Sequence, residues 1–99
     1  MDAPLSSSSV VVASKDQVST NLSGEAVILG MRDGVYYGLD PVGARIWELV
    51  QAPCAIDDVA SAIATEYDVS RERALADLLA LAGQLMERGL LEIVAAPAS

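Results

Sequence analysis

Ninety-nine residues with fourteen acidic and six basic side chains, no histidine and a single cysteine define a small chain of net charge −8. That balance opposes nucleic-acid binding and adhesion to an anionic membrane, both of which need several cations to meet phosphate charge. Without histidine no Ser–His or Cys–His nucleophilic pair can form within the chain, and Cys54 alone cannot supply the ligands of a structural zinc site.

A chain of this size buries roughly 60–70% of its unfolded surface, enough for one core. No apolar run reaches the roughly 18–20 residues of a membrane span. The start lacks the basic residues and long apolar run of a signal peptide. The expectation is one cytoplasmic domain over 10–94, with a disordered N-terminal tail at 1–9, where four serines stand in a row, and a C-terminal tail at 95–99.

Residues 10–13 are apolar and β-prone, and 17–22 alternate, with Val18, Thr20 and Leu22 on one face and Ser19 and Asn21 on the other. Together they predict a first strand with a break at Ser14-Lys15-Asp16. Ser23-Gly24 marks a turn, and 25–31 a second strand around Ala26-Val27-Ile28-Leu29. Asp33-Gly34 is a hairpin signal, because glycine accepts the positive φ of a tight turn. The β-branched and aromatic run 35–39 then reads as a third strand, completing an antiparallel meander.

Asp40-Pro41 stops that strand and opens a helix: Asp40 can cap free N–H groups, and Pro41 lacks only an N–H that the first helical position leaves unbonded. This helix, 41–50, carries Val42, Ile46, Leu49 and Val50 on its apolar side with Trp47 beside them. Two of the three tyrosines and the only tryptophan fall between Tyr36 and Trp47, which makes this stretch the expected hub of the fold. Ala52-Pro53 ends the helix, and Cys54 reads as a small hydrophobe in a loop between two helices. Ile56, Val59, Ala60, Ile63 and Tyr67 keep helical spacing and predict a second helix, with Asp57-Asp58 favourable at its N-terminus. Ser70 is a good N-cap for a third helix running to about Arg88, where Gly89 stops it. Residues 90–94 suit a short final strand.

The fold class read from these elements is α+β, a winged helix-turn-helix-like domain in which an N-terminal three-stranded antiparallel sheet precedes three helices. DNA binding does not follow. The third helix carries no cation between Leu75 and Leu85, and no basic residue at all occurs between Ile46 and Ser70. On the third helix, Leu75, Leu78, Leu79, Ala82, Leu85 and Met86 form a core stripe. Asp77, Leu81, Gln84 and Arg88 run along its flank, and two readings of that flank stay open: a solvated border, or one wall of a groove beside the sheet. The third strand raises a related question, since a meander leaves it at an edge, and neither lysine nor proline within 35–39 blocks the pairing of another strand.

The segment Gly34-Val35-Tyr36-Tyr37-Gly38-Leu39-Asp40-Pro41-Val42-Gly43-Ala44-Arg45-Ile46-Trp47-Glu48-Leu49 resembles the signature of PqqD-like proteins, also called RiPP recognition elements, which serve ribosomally made and post-translationally modified peptides. The later pattern of Ala74 to Leu78 with Asp77, then Leu85, Gly89, Leu90 and Leu91, is similar to the end of the same family, so the resemblance spans about residues 17–94. The double tyrosine and the Gly-Ala-Arg-Ile-Trp run look most like the stand-alone leader-binding proteins of lasso-peptide pathways. PqqD proper usually has a Pro-Glu pair where this chain has Met31-Arg32-Asp33, which points away from quinone-cofactor biosynthesis.

The resemblance implies a non-catalytic protein, without cofactor or metal, that binds the leader of a precursor peptide as an added strand and presents it to a separate maturation enzyme, such as a cysteine peptidase. The implied peptide-binding residues are Val35, Tyr36, Tyr37, Gly38 and Leu39 of the third strand, and Asp77, Leu78, Leu81, Gln84, Leu85 and Arg88 of the third helix. The alternatives are a peptide chaperone for a radical-SAM enzyme and an acidic winged-helix scaffold for protein–protein contacts. The expected state is a monomer, with a strand-exchanged dimer open to a protein carrying an unfilled edge.

Overall fold

The structure is a computed structural model that describes residues 5–22 and 25–94. The described chain forms, in order, β1 (Val10–Ala13), β2 (Gln17–Leu22), β3 (Glu25–Gly30), β4 (Tyr36–Leu39), α1 (Pro41–Leu49), β5 (Cys54–Ala55), α2 (Ile56–Tyr67), α3 (Arg71–Glu87) and β6 (Leu91–Val94). The α+β, winged-helix-like class stands, but the strands divide between two antiparallel sheets, β2-β3-β4 and β5-β1-β6.

The local turn chemistry forms as its residues dictate. Asp33 Oδ1 accepts the Val35 N–H at 3.0 Å and Gly34 takes φ +69°, which closes the hairpin between β3 and β4. This turn holds Val35 outside the strand, so β4 begins one residue later than its β-branched composition suggests. Asp40 accepts the Gly43 N–H at 2.8 Å as the α1 cap, with Pro41 at the first helical position. Ser70 caps α3 through the Arg73 N–H, and Gly89 at φ +73° follows its end. The predicted Ser23-Gly24 turn and the tail at 95–99 lie outside the described residues.

Three expectations are corrected. Residues 10–13 do not begin the meander. At Ser14 the chain changes sheet, because the Ala13 N–H bonds to Val50 O and the Ser14 N–H to Leu90 O, while Ser14 Oγ accepts from Asp16 N. Val50 and Leu90 lie far away in sequence, so no local pattern signals the change of sheet. Cys54 is not in a loop but in β5, where it faces Val11 across the ladder. Residues 5–9, expected within a disordered tail, are tied to the start of α2: Ser9 O and Ser7 O accept the N–H groups of Ile56 and Asp57. Residues 1–4 lie outside the described chain.

The core lies between the two sheets and the helices, with Val11, Ile28, Val50, Ile56, Val59, Leu78 and Leu85 as its largest fully buried side chains. Trp47 is buried on α1 beneath the meander, and its indole N–H donates to Ser19 Oγ of β2 at 3.0 Å. The inward face of β2 therefore carries Ser19, while Val18 stands 58% exposed on the other face. Arg45 joins α1 to α2 by a bidentate pair with Glu66 and also reaches Glu48. That pairing holds the Glu66 carboxyl below the usual carboxylate range.

A cleft between strand β4 and helix α3

β4 is the last strand of its sheet, and among the described residues no strand pairs with its outer edge. Its register with β3 runs Leu29↔Tyr36, Ile28↔Tyr37, Val27↔Gly38 and Ala26↔Leu39, and the Gly30 N–H continues it by donating to Val35 O. An antiparallel ladder alternates between hydrogen-bonded and non-hydrogen-bonded pairs. Gly30 and Val35 are a bonded pair, so Tyr37 and Leu39 bond to β3, and the N–H and C=O groups of Tyr36 and Gly38 point to the open edge. Side chains alternate as well. Leu39 turns inward and is buried, and Tyr37 leans toward α3, whereas Tyr36 is 69% exposed on the outer face.

Beside this edge lies a cleft of about 440 Å³. Tyr37, Gly38 and Leu39 form its strand side, and Asp77, Leu81 and Gln84 line it from α3. Tyr37 fixes one end: its hydroxyl donates to Gln84 Oε1 at 2.6 Å, and the Arg88 guanidinium lies 5.2 Å from its ring centroid. A cation over one face and a hydrogen bond at the tip fix the position of the ring. A Cβ built on Gly38 would meet nothing within 4 Å, so the sheet face at that point is open space.

Of the expected site residues, Tyr37, Gly38, Leu39, Asp77, Leu81 and Gln84 come together in this cleft, and Arg88 joins them through Tyr37. Leu78 and Leu85 do not, being 1% exposed and turned into the core, where they support α3 from behind. Val35 and Tyr36 are exposed outside the cleft, although the main chain of Tyr36 borders the open edge. Sequence reasoning missed one whole wall: Asp40, Val42, Gly43 and Ile46 from α1, together with Ala80 from α3. Ala80 was within reach, since it lies one turn from both Asp77 and Gln84. The α1 residues depend on how the helix docks on the strand end. A Cβ on Gly43 would stand 3.2 Å from Asp40 Oδ1 and 3.3 Å from Leu39 Cβ, so glycine allows that close approach. Among the described residues no group of acidic or thiol side chains is placed to hold a metal ion, and no helix is long and apolar enough to cross a membrane.

Residues 25–91, which include the whole cleft, match the family described as coenzyme PQQ synthesis protein D (PqqD). The chain belongs to the PqqD family. Two solved structures carry the same fold. TbiB1, in complex with the TbiA(beta) leader peptide, is 36% identical over 82% of this chain and 94% of its own, with a TM-score of 0.77. The PqqD truncation of Methylobacterium extorquens PqqCD, described as a functional, stand-alone RiPP recognition element, is 20% identical over 89% of this chain and 94% of its own, with a TM-score of 0.75. No curated protein matches the sequence.

Proposed function

We propose that this protein is a non-catalytic recognition element that binds the leader of a ribosomally synthesised precursor peptide in the cleft between β4 and α3. The observation that carries the reading is the open edge of β4 beside a cleft that mixes apolar and polar side chains. The N–H and C=O groups of Tyr36 and Gly38 offer two points of main-chain pairing, and the floor beside them takes side chains. Main-chain bonds set the register of the added strand. Leu39, Ile46 and Leu81 favour apolar side chains on its inward positions, and Tyr37, Gln84 and Arg88 frame the rim. The domain of 10–94 acts as one unit in the cytoplasm and hands the bound leader to a separate enzyme.

That enzyme is a leader peptidase of lasso-peptide maturation. The double tyrosine and the Gly-Ala-Arg-Ile-Trp run, which resemble the stand-alone leader-binding proteins of lasso-peptide pathways, favour this over a radical-SAM partner. Calorimetric titration with the leader of a precursor encoded beside the gene tests the reading. Saturable one-to-one binding that Leu81→Asp weakens is the expected result. Tight binding unaffected by any change in the cleft would overturn the placement, and no binding to any neighbouring precursor would overturn the function.

A further inference from the structure

The cleft does not end at α1. A second cavity of about 350 Å³ opens on the far side of Val42, Ile46 and Asp77, which line both cavities. Its floor is apolar and deep: Ile46, Ile63 and Ala74 are each no more than 5% exposed. Its lip is formed by Tyr67 and Val69 of the α2–α3 turn, which are 39% and 38% exposed. Large apolar side chains standing open around an apolar floor mark a place where another apolar group fits. Along the α3 side runs a weak i, i+4 ion pair, Arg73 to Asp77 at 3.9 Å, between two largely exposed side chains.

From these observations we infer that the second cavity is a side-chain pocket for the same peptide. The inference rests on the leader-binding reading above. A peptide paired with β4 leaves the strand end at Leu39 and Asp40 and passes over Val42 and Ile46, and its next segment inserts one large aliphatic or aromatic side chain between Tyr67, Val69 and Ala74. The occupant is fixed by continuity, since a chain lying in the first cavity already touches three residues of the second. It is fixed also by chemistry, since the floor of Ile46, Ile63 and Ala74 offers no side-chain partner for a polar group, and the charges of Arg73 and Asp77 are paired with each other. Recognition then has two parts: register, read by the strand edge, and one apolar anchor, read at a set distance beyond it.

The test selects peptides from a displayed library of random sixteen-residue sequences on the native protein, Val69→Asn, Tyr67→Ala and Gly38→Pro in parallel. Circular dichroism and urea unfolding serve as fold controls. Val69→Asn adds polarity without a charge that could pair with Arg73, and Tyr67→Ala removes the opposite lip. On the native protein, the enriched peptides should combine a strand-forming stretch with a large apolar residue at a fixed distance. A selected peptide should bind either lip variant roughly tenfold more weakly, as expected for losing one buried apolar side chain. Selection on the lip variants should keep the stretch and lose the anchor. Enrichment of the stretch alone, or an anchor preference unchanged in both lip variants, overturns the pocket and leaves the recognition function intact. No enrichment on the native protein, or enrichment unaffected by Gly38→Pro, overturns the function and the pocket with it.

Discussion

Leu81 and Trp47 separate binding from folding at the level of single side chains. Leu81 is half-buried on the cleft wall, where a carboxylate would stand beside Asp77 and among Leu39 and Ile46. Leu81→Asp should cost binding about 1–3 kcal/mol, roughly five- to a hundredfold in affinity, with an unchanged circular dichroism spectrum. Calorimetry with the cognate leader reads it, and equal affinity would move the site off this flank. Trp47 sits 4% exposed between α1 and the meander, with its indole N–H on Ser19. Trp47→Ala should lower stability by about 3–5 kcal/mol in urea unfolding, whereas a loss under about 1 kcal/mol would show that α1 is not held there. Cys54 belongs to neither group. Burial, followed by the Asp58 charge, pushes its thiol up, so the nucleophilic thiolate is scarce at neutral pH. Cys54→Ser should therefore leave leader binding and partner-enzyme turnover nearly unchanged. Lost maturation with intact fold and binding would contradict the non-catalytic reading.

At the scale of elements, β4 presents an edge whose outward groups belong to alternate residues. Gly38→Ala adds a Cβ into open space and should change little. Gly38→Pro removes a donor that β3 does not use, so the hairpin should survive while leader affinity falls at least about fivefold. A parallel loss in both variants would mean that side-chain space, not the N–H, matters at this position. The same alternation explains what the sequence could and could not reveal. Turns and caps were legible because their chemistry is local: Asp33-Gly34, Asp40-Pro41, Ser70 and Gly89 each act on neighbours within a few residues. The α3 flank was legible from its spacing, but the same spacing drew in Leu78 and Leu85, because a helix pattern gives a stripe without saying where the partner sheet ends. The α1 wall was illegible because Val42 and Ile46 reach the cleft only through the docking angle that Gly43 permits. β5 was illegible for another reason: two residues carry no period, and its pairing with Val10 and Val11 spans more than forty positions.

Across the whole molecule, the two sheets do different work. β2-β3-β4 carries the cleft, and β5-β1-β6 closes the chain on itself, with β1 as its central strand between partners on both sides. Val11 of β1 is fully buried, Ala13 N binds Val50 O at the end of α1, and residues 5–9 reach the first turn of α2. The match to the PqqD family begins only at residue 25, so a protein trimmed to that match would lack β1 and β2 together. Deleting residues 1–13 isolates the closing sheet's contribution. It strips β6 and β5 of their shared partner and uncovers Leu91 and Val50. A single fully buried aliphatic side chain is worth about 1.5–3 kcal/mol, and a domain of this size holds only about 5–15 kcal/mol in reserve. With the ladder bonds lost as well, the shortened protein should lose its cooperative urea transition or shift it sharply to lower denaturant, and leader binding should weaken with it although every cleft residue is present. A native transition midpoint in the shortened protein would show that β2-β3-β4 and the helices fold without closure by β1. Native stability with full leader affinity would reduce the recognition unit to β2 and the elements that follow it.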